Sequence, residues 1–164
     1  MAAPAEDAFT QLPGAPSPMK TKSYSGHLKV TDSKALHYVF LESEDKPDTD
    51  PVVVWFNGGP GCSSLLGFIQ EHGPFVIEDG ASNITENPFP WTKTASMLYL
   101  ESPAGVGYSV ANKTSDYNTN DVQQSEDAMV ALQAFFAKFP EKLTNDLFIS
   151  GESYGGIYVP YLAW

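Results

Sequence analysis

The chain has 164 residues, 42% of them hydrophobic and 18% charged, a globular composition large enough to bury about two-thirds of its unfolded surface. Nine basic against twenty acidic residues give a formal net charge of -11, which repels phosphate backbones and anionic membrane surfaces and argues against a nucleic-acid partner. No apolar run approaches a membrane-spanning length. The single cysteine, Cys62, makes no internal disulfide and no metal cluster.

Met1 to Pro18 lacks the apolar core of a signal peptide, and Pro4, Pro13, Pro16 and Pro18 predict an extended, mobile lead-in over 1–21. A folded domain is expected over 22–164. Ser23 to Val30 and Ala35 to Leu41 alternate as an antiparallel pair joined by Thr31-Asp-Ser-Lys34. Glu42 to Asp50 is an acidic loop, and Pro51-Val-Val-Val-Trp-Phe56 is an unbroken apolar run suited to a strand buried on both faces.

That strand runs into Asn57-Gly-Gly-Pro-Gly-Cys-Ser-Ser64, whose glycines let backbone amides approach a ligand. The lysine of a phosphate-binding loop is missing and Pro60 removes a donor. A cradle for an oxyanion fits better, with a tight glycine turn as the plain alternative. Leu65 to His72 predicts a short helix closed by Gly73-Pro74, then a strand at Phe75 to Ile77 and a loop from Glu78 to Lys93.

Ser96-Met-Leu-Tyr-Leu100 is a second buried run, ending in the small-residue loop Glu101 to Gly107. Asn120 reads as a helix N-cap with Gln123 three residues on. Val122, Ser125, Met129, Leu132, Phe136 and Phe139 recur at helical spacing up to Pro140 and are expected to pack in the core. Two sequons, at Asn83 and Asn112, fall in polar, turn-rich stretches open to glycosylation.

Asp146 to Gly156 closes the series as a buried strand, a sharp turn and a helix, with Gly151-Glu-Ser-Tyr-Gly155 at the turn. A serine there has its hydroxyl pushed clear of the backbone, and small neighbours relieve the crowding. Strands alternating with helices imply an α/β fold with a mostly parallel sheet covered on both faces.

Four stretches, Trp55 to Ser64, Glu71-His-Gly-Pro-Phe75, Leu100 to Ser109 and Gly151 to Gly156, resemble in that order the signatures of serine carboxypeptidases of the cathepsin A kind. The resemblance runs from about Tyr24 to Trp164. It implies the α/β-hydrolase fold, of which this is the N-terminal part of the sheet with flanking helices, incomplete. It also implies release of C-terminal residues from peptides at acidic pH, in a lysosome, a vacuole or outside the cell, with no cofactor and no metal.

By motif position the resemblance makes Ser153 the nucleophile and the amides of Gly59 and Tyr154 the oxyanion hole. It sets Asn57, the Gly58 amide and Glu152 around the substrate's terminal carboxylate, with Glu71 paired to Glu152. Three carboxyl groups fit together only if they share protons, so binding should weaken as pH rises. From spacing alone Glu152 could be a turn residue and Glu71 a solvated acid. Cys62 is expected to pair with a cysteine in the missing part of the enzyme.

In this family the acid and the imidazole follow the serine, whereas His27, His37 and His72 all precede Ser153 and are expected to be structural or solvent-facing. The remainder of the enzyme chain is therefore needed for the Asp and His. The segment alone is expected to be inactive, and unstable or prone to aggregate along an open strand edge. The alternatives are a carboxypeptidase-like acyltransferase, whose members usually alter the residues matching Asn57 and Glu152, and a truncated non-catalytic binding protein. Oligomeric state stays open, a homodimer included.

Overall fold

The computed structural model describes residues 3–77, 80 and 82–164. In chain order the strands are β1 (Ala8–Phe9), β2 (Ser23–Lys29), β3 (Lys34–Leu41), β4 (Val52–Phe56), β5 (Phe75–Val76), β6 (Thr85–Glu86), β7 (Ser96–Leu100), β8 (Val110–Ala111) and β9 (Leu147–Gly151). The two α-helices are α1 (Asp121–Lys138) and α2 (Gly155–Ala163). The main sheet runs β1-β2-β3-β7-β4-β9, with β8 added on β3.

The sheet is mixed. β7, β4 and β9 run parallel, and the N-terminal strands extend them antiparallel through the β3–β7 pair. The apolar runs account for this. Val52, Val54, Leu98 and Leu100 face Ala128, Ala131, Phe135, Tyr158 and Leu162 of the two helices, while Trp55, Met97 and Tyr99 pack with Phe68 on the other side. Residues of successive parity serve opposite faces, so a strand covered on both sides shows no polar alternation.

Asn120 caps α1 as its spacing predicts, its Oδ1 accepting from Gln123 N at 3.0 Å. The buried face of that helix is nevertheless rotated from the expected stripe. Leu132 and Phe139 of that stripe are buried, together with Ala128, Ala131 and Phe135, whereas Val122 and Met129 are exposed. The Lys34–Asp127 ion pair, 2.5 Å and buried, ties the same face to β3.

Other expectations are corrected. The lead-in is docked rather than mobile: β1 pairs with β2, and Asp7 accepts from Tyr38 OH at 2.7 Å and Lys138 Nζ at 2.6 Å. Prolines set its extended backbone, but the half-buried Asp7 acceptor decides where it lies. The short helix is a π-helical turn, Gly67–Glu71. β5 joins β6 in a separate two-stranded sheet. β9 lies at the sheet's edge, the open edge expected, so Leu147 and Phe148 are exposed rather than buried. Residues 1, 2, 78, 79 and 81, in the lead-in and in the loop expected from Glu78, lie outside the described residues.

Phe135 stands at the centre of the helix-side core, its ring centroid 4.9 Å from Phe40 and 4.8 Å from Phe139. Phe135→Ala is expected to cost about 3–5 kcal/mol, read as a lowered midpoint in urea unfolding followed by circular dichroism.

Candidate active site

Ser153 sits between β9 and α2 with φ 54°, the only non-glycine residue with positive φ among those described. Strain of this kind costs about 1–3 kcal/mol and holds only where surrounding structure fixes the turn. The fixing comes from close packing. A Cβ on Gly151 would stand 2.6 Å from the Phe56 carbonyl oxygen, so only glycine admits the β9 terminus beside β4. Ser153 is exposed, and its hydroxyl makes no hydrogen bond among the described residues.

The glycine loop meets this turn because Phe56 is paired with Gly151, which ends β4 and β9 at one level. Gly58 lies directly against the serine turn: a Cβ there would be 2.5 Å from Tyr154 N and 2.9 Å from Ser153 Cβ. Backbone N–H groups of Gly58, Gly59 and Tyr154 donate to no protein acceptor among the described residues. The loop is held from behind, with Cys62 N donating to Gly58 O at 3.0 Å and Gly61 N donating to Tyr158 OH at 3.2 Å. Asn57 N donates to Ser64 Oγ, which donates onward to Leu100 O.

Asn57 is buried, and its amide orientation is fixed on the oxygen side. Oδ1 accepts from Trp55 Nε1 at 2.8 Å and from Gly67 N at 3.0 Å. Nδ2 therefore faces outward, donating to Glu71 Oε1 and Glu152 Oε1, each at 3.1 Å. The two glutamates meet through this shared donor; no direct Glu71–Glu152 hydrogen bond occurs among the described residues. The Gly67 contact was not legible beforehand, since it depends on the π-helical turn.

His72 packs behind this group, stacked on Trp91 with centroids 4.2 Å apart and edge-on to Trp55 at 4.3 Å. Its Nδ1 lies 3.1 Å from Tyr99 OH, and Nε2 has no partner among the described residues. Burial pushes its pKa down to about 4. His37 Nδ1 pairs with the fully buried Glu101, and His27 Nε2 lies 2.9 Å from Tyr108 O. None of the three histidines is hydrogen-bonded to Ser153.

Tyr154 OH donates to Asp121 at the start of α1, 3.1 Å from Oδ1, a link with no local sequence signal. That bond, followed by burial, raises the tyrosine's pKa. Cys62 is a free, exposed thiol, and Asn83 and Asn112 are exposed. Among the described residues no His, Cys, Asp and Glu group is arranged to hold a metal ion, and no helix is long and apolar enough to cross a membrane.

A strained serine between a parallel strand and a helix, facing a glycine loop from the neighbouring strand, defines an α/β-hydrolase fold, here in part. The serine carboxypeptidase family model matches residues 13–164. The lysosomal protective protein of Mus musculus is 49% identical over 99% of this chain, and serine carboxypeptidase 1 of Hordeum vulgare is 45% identical over 99%. Each alignment covers 34% of the relative, so the chain spans about a third of their length. A solved prohormone-processing carboxypeptidase from Saccharomyces cerevisiae superposes with TM-score 0.73 at 28% identity, over 98% of this chain and 37% of that one. The chain belongs to the serine carboxypeptidase family.

The packing makes two measurable demands. Gly58→Ala is expected to destabilise the chain by about 1–3 kcal/mol through overlap with backbone. Gly156→Ala, which meets nothing within 4 Å on a helix, should gain about 0.5–1 kcal/mol; urea midpoints of the two variants test both signs.

His72 gives a pH dependence. The unfolded chain protonates it near 6.5 and the folded chain only near 4, so stability falls as pH drops from about 6.5 towards 4 and levels off below. His72→Phe should flatten that decline in urea midpoints measured between pH 7 and pH 4.

Proposed function

We propose that this chain carries the nucleophile and the carboxylate-recognition half of a serine-type carboxypeptidase, which releases C-terminal amino acids from peptides and proteins through an acyl-enzyme at acidic pH. One observation carries the reading. Asn57 holds Glu71 and Glu152 at a single donor, beside a serine turn lined by undonated amides. Such a cluster suits a ligand that ends in a carboxylate next to the reacting carbonyl.

In this reading Ser153 Oγ attacks the last peptide carbonyl. Its proton passes to an imidazole, and the oxyanion accepts from the amides of Gly59 and Tyr154. The terminal carboxylate accepts from the Gly58 amide and from Asn57 Nδ2, which gives up one of its two glutamate acceptors to it, with Glu71 and Glu152 lending protons. Repulsion among three carboxylates grows as those protons leave, which sets the acidic preference. The Asp and His come from the remainder of the enzyme, and without them Ser153 does not hydrolyse peptides.

Retention of both Asn57 and Glu152 favours peptide hydrolysis over acyl transfer and over a purely binding role. The reading also includes glycans at Asn83 and Asn112, pairing of Cys62 with a later cysteine, and a lysosomal, vacuolar or secreted location.

The experiment uses the longer enzyme containing this segment, assayed on an N-blocked dipeptide. Ser153→Ala should lower kcat by about 10⁶, and Asn57→Leu should raise KM for the free acid far more than for its C-terminal amide. Full activity in Ser153→Ala, or equal loss on acid and amide in Asn57→Leu, would overturn the assignment.

A further inference from the structure

A second group of catalytic residue types lies away from Ser153. Strand register pairs Ser25 with Val39 and His27 with His37, so Ser25 and His37 are diagonal neighbours on one face of the β2–β3 hairpin. Ser25 Oγ is 2.9 Å from His37 Nε2, and His37 Nδ1 is 2.9 Å from Glu101 Oε2. Glu101, fully buried, is further held by Ser63 Oγ and by Tyr108 N at 2.8 Å. Its burial raises the carboxyl pKa, but the hydrogen bonds from His37, Ser63 and Tyr108 outweigh that and leave it lowered.

An ionised Glu101 accepts only, which puts the imidazole proton on Nδ1 and leaves the Nε2 lone pair to accept from the Ser25 hydroxyl. This is the tautomer that activates a serine. The site opens on a cavity of about 630 Å³ whose wall beside Ser25 and His37 is apolar at Phe9, Leu12 and Phe68 and acidic at Glu6 and Asp7. No residue of this group belongs to the Ser153 turn.

We propose that Ser25 is a second, independently activated serine that accepts acyl groups from esters of short apolar acids. Its Oγ attacks the acyl carbonyl while the hydroxyl proton moves to His37 Nε2, where Glu101 stabilises the imidazolium. That proton passes to the departing alkoxide as the ester C–O bond breaks, leaving acyl-Ser25 and an alcohol. Water reverses the sequence and releases the acid. The backbone around Ser25 is committed to the β2–β3 ladder, unlike the free amides at Gly58 and Gly59. The rate should therefore be at least about 100-fold below that of a serine with an amide cradle.

The test uses the longer enzyme containing this segment and carrying Ser153→Ala, treated with an alkyl fluorophosphonate and, separately, with p-nitrophenyl butyrate. Adducts are read by intact mass and peptide mapping. One adduct on Ser25 is expected, lost in Ser153→Ala/Ser25→Ala, slowed at least tenfold by His37→Asn and slowed to the same degree in urea. No adduct in Ser153→Ala, an adduct on another residue, or Ser25 labelling at one rate in native and urea-unfolded chain would overturn the proposal.

Discussion

The site depends on one alignment, Phe56 opposite Gly151 in the parallel β4–β9 pair. Because both strands stop at that level, the loop after β4 and the turn after β9 emerge side by side, and Gly58 comes against Tyr154 N. Strand side chains have period 2, so a slip of one residue would send Asn57 and the serine turn to unrelated positions. The register is fixed by burial. Val52 and Val54 are fully enclosed by the helix-side core, and Trp55 by the opposite one. Hydrophobic packing thus sets polar geometry several residues away.

A second dependence runs through Asn57. An amide can be turned either way, and only one orientation offers Nδ2 to the glutamates. Trp55 and Gly67 donate to the oxygen, so the reversed orientation would leave two buried donors facing an NH₂ group, about 1–3 kcal/mol for each. Trp55 is itself clamped by His72 and Trp91. The aromatic cluster is in this sense the support of the polar one, and keeping His72 neutral keeps a charge out of it.

The Ser25–His37–Glu101 group obeys the same logic with a different outcome. Both serines meet structure that restricts them, but Ser153 stands on a strained turn beside free amides, while Ser25 lies in a regular strand. Among the described residues Ser153 has undonated amides beside it and no imidazole in contact. Ser25 has the imidazole without a cradle.

Much of the fold was written in local pattern. The apolar runs at 52–56 and 96–100, the Asn120 cap and the glycines around residue 153 each encode their conformation through effects that reach only a few residues. These also ordered the motifs that carry the family. Tertiary contact decided the rest. The face that α1 buries was set by which residues meet the sheet, and the lead-in docked because Asp7 found Tyr38 and Lys138. Glu71 and Glu152 came to share the Asn57 amide, and His37 reached Glu101, only across separations that no spacing rule spans. Sequence determines backbone preference and hydrophobic period because those are local energies. Which distant groups share a hydrogen bond is a property of packing.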